Sequence, residues 1–155
     1  MEDIAHIIAG LSSATAKQRM AAAAALGKLK NPDAAGPLGA ALADRSIPVR
    51  SEVVLALGRL EDSAAVPFLI RALDDPEPSI RAAAVAGLGR IRDPAAAGSL
   101  IICLKDRDPG VRIGAAQVLG RLGVRRALGP LAELCNDPFS DVRDTAAAAI
   151  KRLNK

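Results

Sequence analysis

Apolar residues in this chain recur at helical spacing, and the whole arrangement returns every 31 residues. Val49, Val53, Leu57 and Leu60 step by four, four and three, which lines them up on one face of a helix. The same face returns as Ile80, Ala84, Leu88, Ile91, as Val111, Ala115, Leu119, Leu122, and as Val142, Ala146, Ile150, Leu153. A second apolar series precedes each of these. It runs through Ile7, Leu38, Leu69, Leu100 and Leu131, and four residues on through Leu11, Leu42, Leu73, Leu104 and Cys135. Each period therefore predicts two helices and two turns, the unit of a stacked-repeat protein. Helices of about 11 to 14 residues are marginal alone in water, so stability must come from stacking. The expected fold is all-α, a right-handed α-α superhelix (α-solenoid) of five stacked helix pairs. It forms one domain over 1–155, with repeats at about 1–30, 31–61, 62–92, 93–123 and 124–155.

The polar columns sharpen this frame. Asn31-Pro32, Asp62-Ser63 and Asp93-Pro94 mark first-helix starts, where Asn or Asp caps free amides and Pro suits the first helical position. Val124-Arg125 lacks that cap, which predicts a looser turn. Pro48, Pro76, Pro78, Pro109 and Pro138 are expected to stop the first helix and set the turn between helices. An arginine stands at Arg19, Arg50, Arg81, Arg112 and Arg143, and an aspartate between the helices at Asp44, Asp75, Asp106 and Asp137. Two matched columns of opposite charge favour a structural ion-pair ladder over an anion site.

Glycine at Gly27, Gly58, Gly89 and Gly120 costs about 1 kcal/mol each inside a helix, so close contact with the next repeat or relief at the helix end is expected there. Lys151 takes that place in the last repeat, and Ser13 and Gln18 depart from the frame in the first. These departures are read as caps of a complete array. A second basic column, Lys28, Arg59, Arg90, Arg121 and Arg152, has no equally regular acidic partner. It is either a binding row or a solvated edge that complements the helix C-termini.

Composition removes several function classes. Half of the 155 residues are apolar, many of them alanine; Trp and Tyr are absent, and the phenylalanines are Phe68 and Phe139. The net charge of +4 permits an acidic partner without demanding one. Cys103 and Cys135 have no metal-knuckle spacing and are expected as buried, reduced thiols, which favours a cytoplasmic setting. No basic leader and no membrane-length apolar run is visible. His6 is the single histidine, expected partly exposed on the first helix, so no metal site and no cofactor is predicted. No phosphate loop and no nucleophile–His pairing appears, so no catalytic residue is assigned.

The segment DPEPSIRAAAVAGLGRIRDPAAAGSLIICLKD, from Asp75 to Asp106, resembles the HEAT-repeat superfamily, in particular the short HEAT-like repeats of phycobilisome lyases. The resemblance covers essentially the whole chain. It implies that the Asp and Arg columns form a ladder between repeats and that the helix beginning at the arginine lines a concave face. On that face the positions expected to bind are Lys28, Leu55, Arg59, Ala86, Arg90, Ile113, Gln117, Arg121 and Arg152. Related iron-dependent hydroxylases use paired His-Glu motifs, which are missing here. The resulting expectation is a non-catalytic scaffold for another protein or peptide, an acidic one among the options. A subunit or homologue of a bilin-lyase-type enzyme is an alternative, although a chain without Trp or Tyr offers little to hold a tetrapyrrole. Weak nucleic-acid binding ranks below both, because base stacking wants aromatic side chains.

Overall fold

The computed structural model describes residues 3–155. Among them are ten α-helices and no strand. Contacts divide the chain into two units, one ending at Ile91 and one running Arg92–Lys155.

The first unit holds three helix pairs: α1 (Ile4–Ala9) with α2 (Ala16–Leu29), α3 (Ala35–Ala41) with α4 (Ile47–Leu60), and α5 (Val66–Ala72) with α6 (Pro78–Ile91). The second unit holds α7 (Ala97–Cys103) with α8 (Pro109–Leu122) and α9 (Leu128–Leu134) with α10 (Ser140–Leu153). Every second helix is 14 residues long. The first helices are shorter than the apolar pattern suggests: from α3 onward each is 7 residues, entered through a three-residue 3₁₀ turn. The same backbone bond closes every one of these turns, from the amide of Ala34, Ala65, Ala96 or Ala127 to the carbonyl three residues back. Asn31, Asp62 and Asp93 support it by each accepting a hydrogen bond from the amide two residues on, at 2.9, 2.8 and 2.8 Å; Val124 forms the turn without one.

The prolines divide their work differently from the sequence expectation. Pro48, Pro78 and Pro109 lie in the first turn of α4, α6 and α8, where a missing N–H is harmless. Pro76 and Pro138 lie in the turns themselves. The arginine column therefore sits at the fourth position of each second helix rather than at its start.

The apolar columns meet between the two helix layers. Leu26, Leu38, Leu57, Leu69 and Leu88 are fully buried in the first unit, and Leu100, Leu119 and Leu131 in the second. Alanine and glycine let the second helices approach closely. A Cβ placed on Gly27 would come within 2.8 Å of the Ala56 Cα, and one on Gly120 within 3.0 Å of the Ala149 Cα. Gly58 faces Gly87 in the same way, at 3.0 Å from its Cα. The propensity lost at these glycines is offset by backbone contact between neighbouring helices.

Cys103 is buried, but Cys135 is exposed, contrary to the expectation of two buried thiols. Cys135 stands at the C-cap of α9, the place where Leu104 is buried after α7, so position in the repeat frame does not by itself bury this column. The Val124 turn lacks a side-chain cap, yet Gly123 in the left-handed region (φ 72°) closes α8 and Arg125 Nη1 donates to the Leu153 carbonyl at 2.7 Å. Phe68 packs against Gly39, while Ile102 on α7 is 74% exposed.

Candidate functional site

Two sets of side chains recur with the repeat, and the structure gives them different surroundings. The first is the arginine column. Arg50 uses its whole fork: Nη1 donates to the Asp44 carbonyl of its own turn at 3.0 Å, while Nε and Nη2 donate to the Asp75 carboxylate of the next turn at 2.8 and 3.2 Å. Arg19 does the same with the Ser13 carbonyl and Asp44, its Nε–Oδ2 distance being 2.6 Å. In the second unit Arg112 joins the Asp106 carbonyl (2.8 Å) to Asp137 (2.9 and 3.1 Å). Each aspartate also accepts from an amide of its own turn: Ser46 for Asp44, Glu77 for Asp75, Asp108 for Asp106 and Phe139 for Asp137. Asp44, Asp75 and Asp137 thus each shape their own turn and grip the preceding repeat.

Arg81, buried, donates Nη1 to the Asp75 and Pro76 carbonyls at 2.9 and 3.1 Å. Arg143 donates to the Asp137 and Pro138 carbonyls. The ring of Phe139 lies 5.8 Å from the Arg112 guanidinium carbon, adding a cation–π contact at that rung.

These surroundings perturb the carboxylates. The Arg19 hydrogen bond holds Asp44 below the ordinary carboxylate range. For Asp75 and Asp137, burial pulls upward, but the hydrogen bonds from Arg50 and Arg112 and from the Glu77 and Phe139 amides outweigh it, and both end lowered. The guanidiniums of Arg19 and Arg50 are raised, first by the hydrogen bond to their aspartates. Groups so fully engaged with each other have little left to offer a ligand.

The second set lies nearer the C-terminal ends of the second helices. In the first unit Leu55, Arg59, Ala86 and Arg90 come together around a depression of about 130 Å³ between α4 and α6. Arg59 is already engaged there: its Nη1 donates to Glu52 Oε1 at 2.8 Å, two turns back on the same helix. In the second unit Gln117, Arg121 and Arg152 line a depression of about 660 Å³ between α8 and α10. Lys151, Lys155, Asp144 and Thr145 join them. Among the described residues, Arg121 and Arg152 form no ion pair. Lys28 is exposed on α2 and Ile113 half-buried on α8, and neither lines these two depressions.

Two residues of this surface are not singled out by the sequence: Lys151 shows only as a break in the glycine column, and Lys155 lies beyond the last periodic position. Among the described residues no three His, Cys, Asp or Glu side chains converge to hold a metal ion, and His6 is exposed on α1. No helix is long and apolar enough to cross a membrane.

The family model described as HEAT repeats matches residues 4–81 and again 66–151. No curated protein matches the chain. Among solved structures, the complex of CpcE and CpcF of phycocyanin lyase from Nostoc sp. PCC7120 is similar at 30% identity and a TM-score of 0.80, covering 99% of this chain. This chain spans 65% of that one's length, just under two thirds. A designed armadillo repeat protein in complex with the peptide (KR)4 is similar at 19% identity and a TM-score of 0.71, over 97% of this chain and 82% of that one. Human deoxyhypusine hydroxylase is similar at 19% identity and 0.68, over 97% and 73%. The last two likenesses show the fold alone.

Proposed function

The chain belongs to the HEAT-repeat family, and we propose that it is a non-catalytic binding scaffold whose second-helix face holds an extended acidic segment of another protein. The observation that carries this is the α8–α10 depression, where Arg121, Lys151, Arg152 and Lys155 face a single carboxylate, Asp144. Unpaired cations beside an open groove attract an anionic partner at long range and orient it on arrival. The volume of about 660 Å³ is within the range that accommodates a ligand. The first unit has a smaller depression of its own, between α4 and α6, with Leu55 and Ala86 beside Arg90 and a more apolar character. A designed armadillo repeat protein of similar fold, in complex with the peptide (KR)4, supports recognition of a peptide by such a fold, although that peptide is basic.

The test uses fluorescein-labelled extended peptides, one rich in Asp and Glu and one rich in Lys and Arg. Preferential binding of the acidic peptide, abolished when Arg59, Arg90 and Arg121 are all replaced by Glu with helicity and melting retained, supports the reading. Unaltered binding by the folded triple variant removes it.

A second reading, a subunit or homologue of a bilin-lyase-type enzyme, is favoured by the likeness to the CpcE and CpcF complex at 30% identity. Titrating a free bilin while following its visible absorption separates the two: a saturable spectral shift supports the lyase-type role.

A further inference from the structure

The turn between α8 and α9 breaks the repeat in a way the fold does not require. The corresponding turns read Asn31-Pro32-Asp33, Asp62-Ser63-Ala64 and Asp93-Pro94-Ala95; here the residues are Val124-Arg125-Arg126. The capping carboxylate or amide is lost, and two guanidiniums take the place of neutral or acidic residues. They line a recess of about 550 Å³ together with Arg92, over a floor that includes Ala97, Leu122 and Val124. Arg125 is held in place by its hydrogen bond to the Leu153 carbonyl. Arg126 reaches back toward α7, with Nη2 3.8 Å from where a Cβ on Gly98 would stand. The only carboxylate in the lining, Asp93, is engaged with the Ala95 amide, and none of the three arginines forms an ion pair among the described residues. Three guanidiniums and one carboxylate leave a net charge of +2 beside an apolar surface, which matches an anionic head on an apolar body.

We propose that this recess binds a small organic oxyanion, with a phosphate or carboxylate head held by Arg92, Arg125 and Arg126 and an apolar portion resting on Leu122 and Val124. It shares no lining residue with the α8–α10 depression, so it stands or falls independently of the scaffold reading.

Phenyl phosphate, benzoate, inorganic phosphate and phenol are each titrated into the full chain at low salt, with amide NMR shifts as the readout. Saturable binding of phenyl phosphate or benzoate is expected, with shifts centred on Val124–Arg126, and the tighter of the two identifies the head group. Inorganic phosphate should bind more weakly and phenol not at all. Arg92→Glu and Arg126→Glu, both at exposed side chains, should each weaken binding at least tenfold, while Arg152→Glu leaves it unchanged. Val124→Asp supplies a variant that restores the missing cap: it should fold at least as well and bind less. Absence of saturable binding by both anions, phenol binding as well as they do, or an equal loss in Arg152→Glu overturns the proposal.

Discussion

The two units follow one repeat frame but carry very different charge. The 21 Lys and Arg residues divide as 10 and 11 between the first and second unit, and the 17 Asp and Glu as 10 and 7. The first unit is therefore neutral, and the second carries the whole net charge of +4. The contrast is sharpest on the second-helix face. In the first unit Arg59 is answered by Glu52 beside a depression of about 130 Å³; in the second, four cations surround one of about 660 Å³. What the repeats share is the part that folding demands: apolar columns, ladder and glycines. What differs between them is free to serve a ligand, so in a repeat protein the departures from the frame are more informative about binding than the frame itself.

The strongest way to break this comparison is charge reversal. Arg121→Glu with Arg152→Glu in the second unit should weaken acidic-peptide binding about 100-fold, near 3 kcal/mol, by fluorescence anisotropy. Arg59→Glu with Arg90→Glu in the first unit should cost only about tenfold, because Arg59 is already neutralised. Equal losses from the two pairs would erase the distinction.

The ladder should behave alike in both units. Asp75→Ala strands the Arg50 fork and the Glu77 amide, and Asp137→Ala strands those of Arg112 and Phe139. Each should lower unfolding free energy by about 3 kcal/mol in urea titrations.

A third measurement contrasts glycines that have neighbours with one that has none. Gly27→Ala and Gly120→Ala drive a Cβ into the backbone of the adjacent helix and should destabilise by about 1–3 kcal/mol. Gly36→Ala on α3, with nothing within 4 Å of the new Cβ, should instead stabilise, by up to about 1 kcal/mol. Calorimetric melting temperatures moving in the same direction would contradict the close-approach account.

The effect of pH is the smallest, since it is invisible near neutrality. Asp44, Asp75 and Asp137 have lowered folded-state values, so their contribution is fully present above the unfolded carboxylate pKa of about 4. It is lost as the pH falls through the lowered values. Midpoint denaturant concentration should therefore hold down to about pH 4 and decline below it, with a shallower decline in Asp75→Asn.

Much of this molecule was legible in its sequence because helices are local. A side chain at i faces those at i+3 and i+4 whatever the rest of the chain does, so the apolar columns revealed both helices of each pair. Aspartate or asparagine caps are equally local, and they marked the first-helix starts at Asn31, Asp62 and Asp93. The same local logic misled where a helix ends. The leucine spacing implied a longer first helix, but each is entered through a 3₁₀ turn and its α-helix stops at seven residues; the residue that follows is buried at Leu104 and exposed at Cys135, a difference the local pattern does not carry. Which arginine meets which aspartate is a contact across 25 residues, and only stacked repeats make it. The same holds for the cationic groove. Lys151 and Lys155 read in the sequence as an irregularity and a tail; packing α8 against α10 sets them beside Arg121 and Arg152. The sequence by itself determined the helices, because backbone geometry repeats every few residues. Tertiary structure alone decided which charges neutralise each other and which remain available, because that depends on distances between residues a full repeat apart.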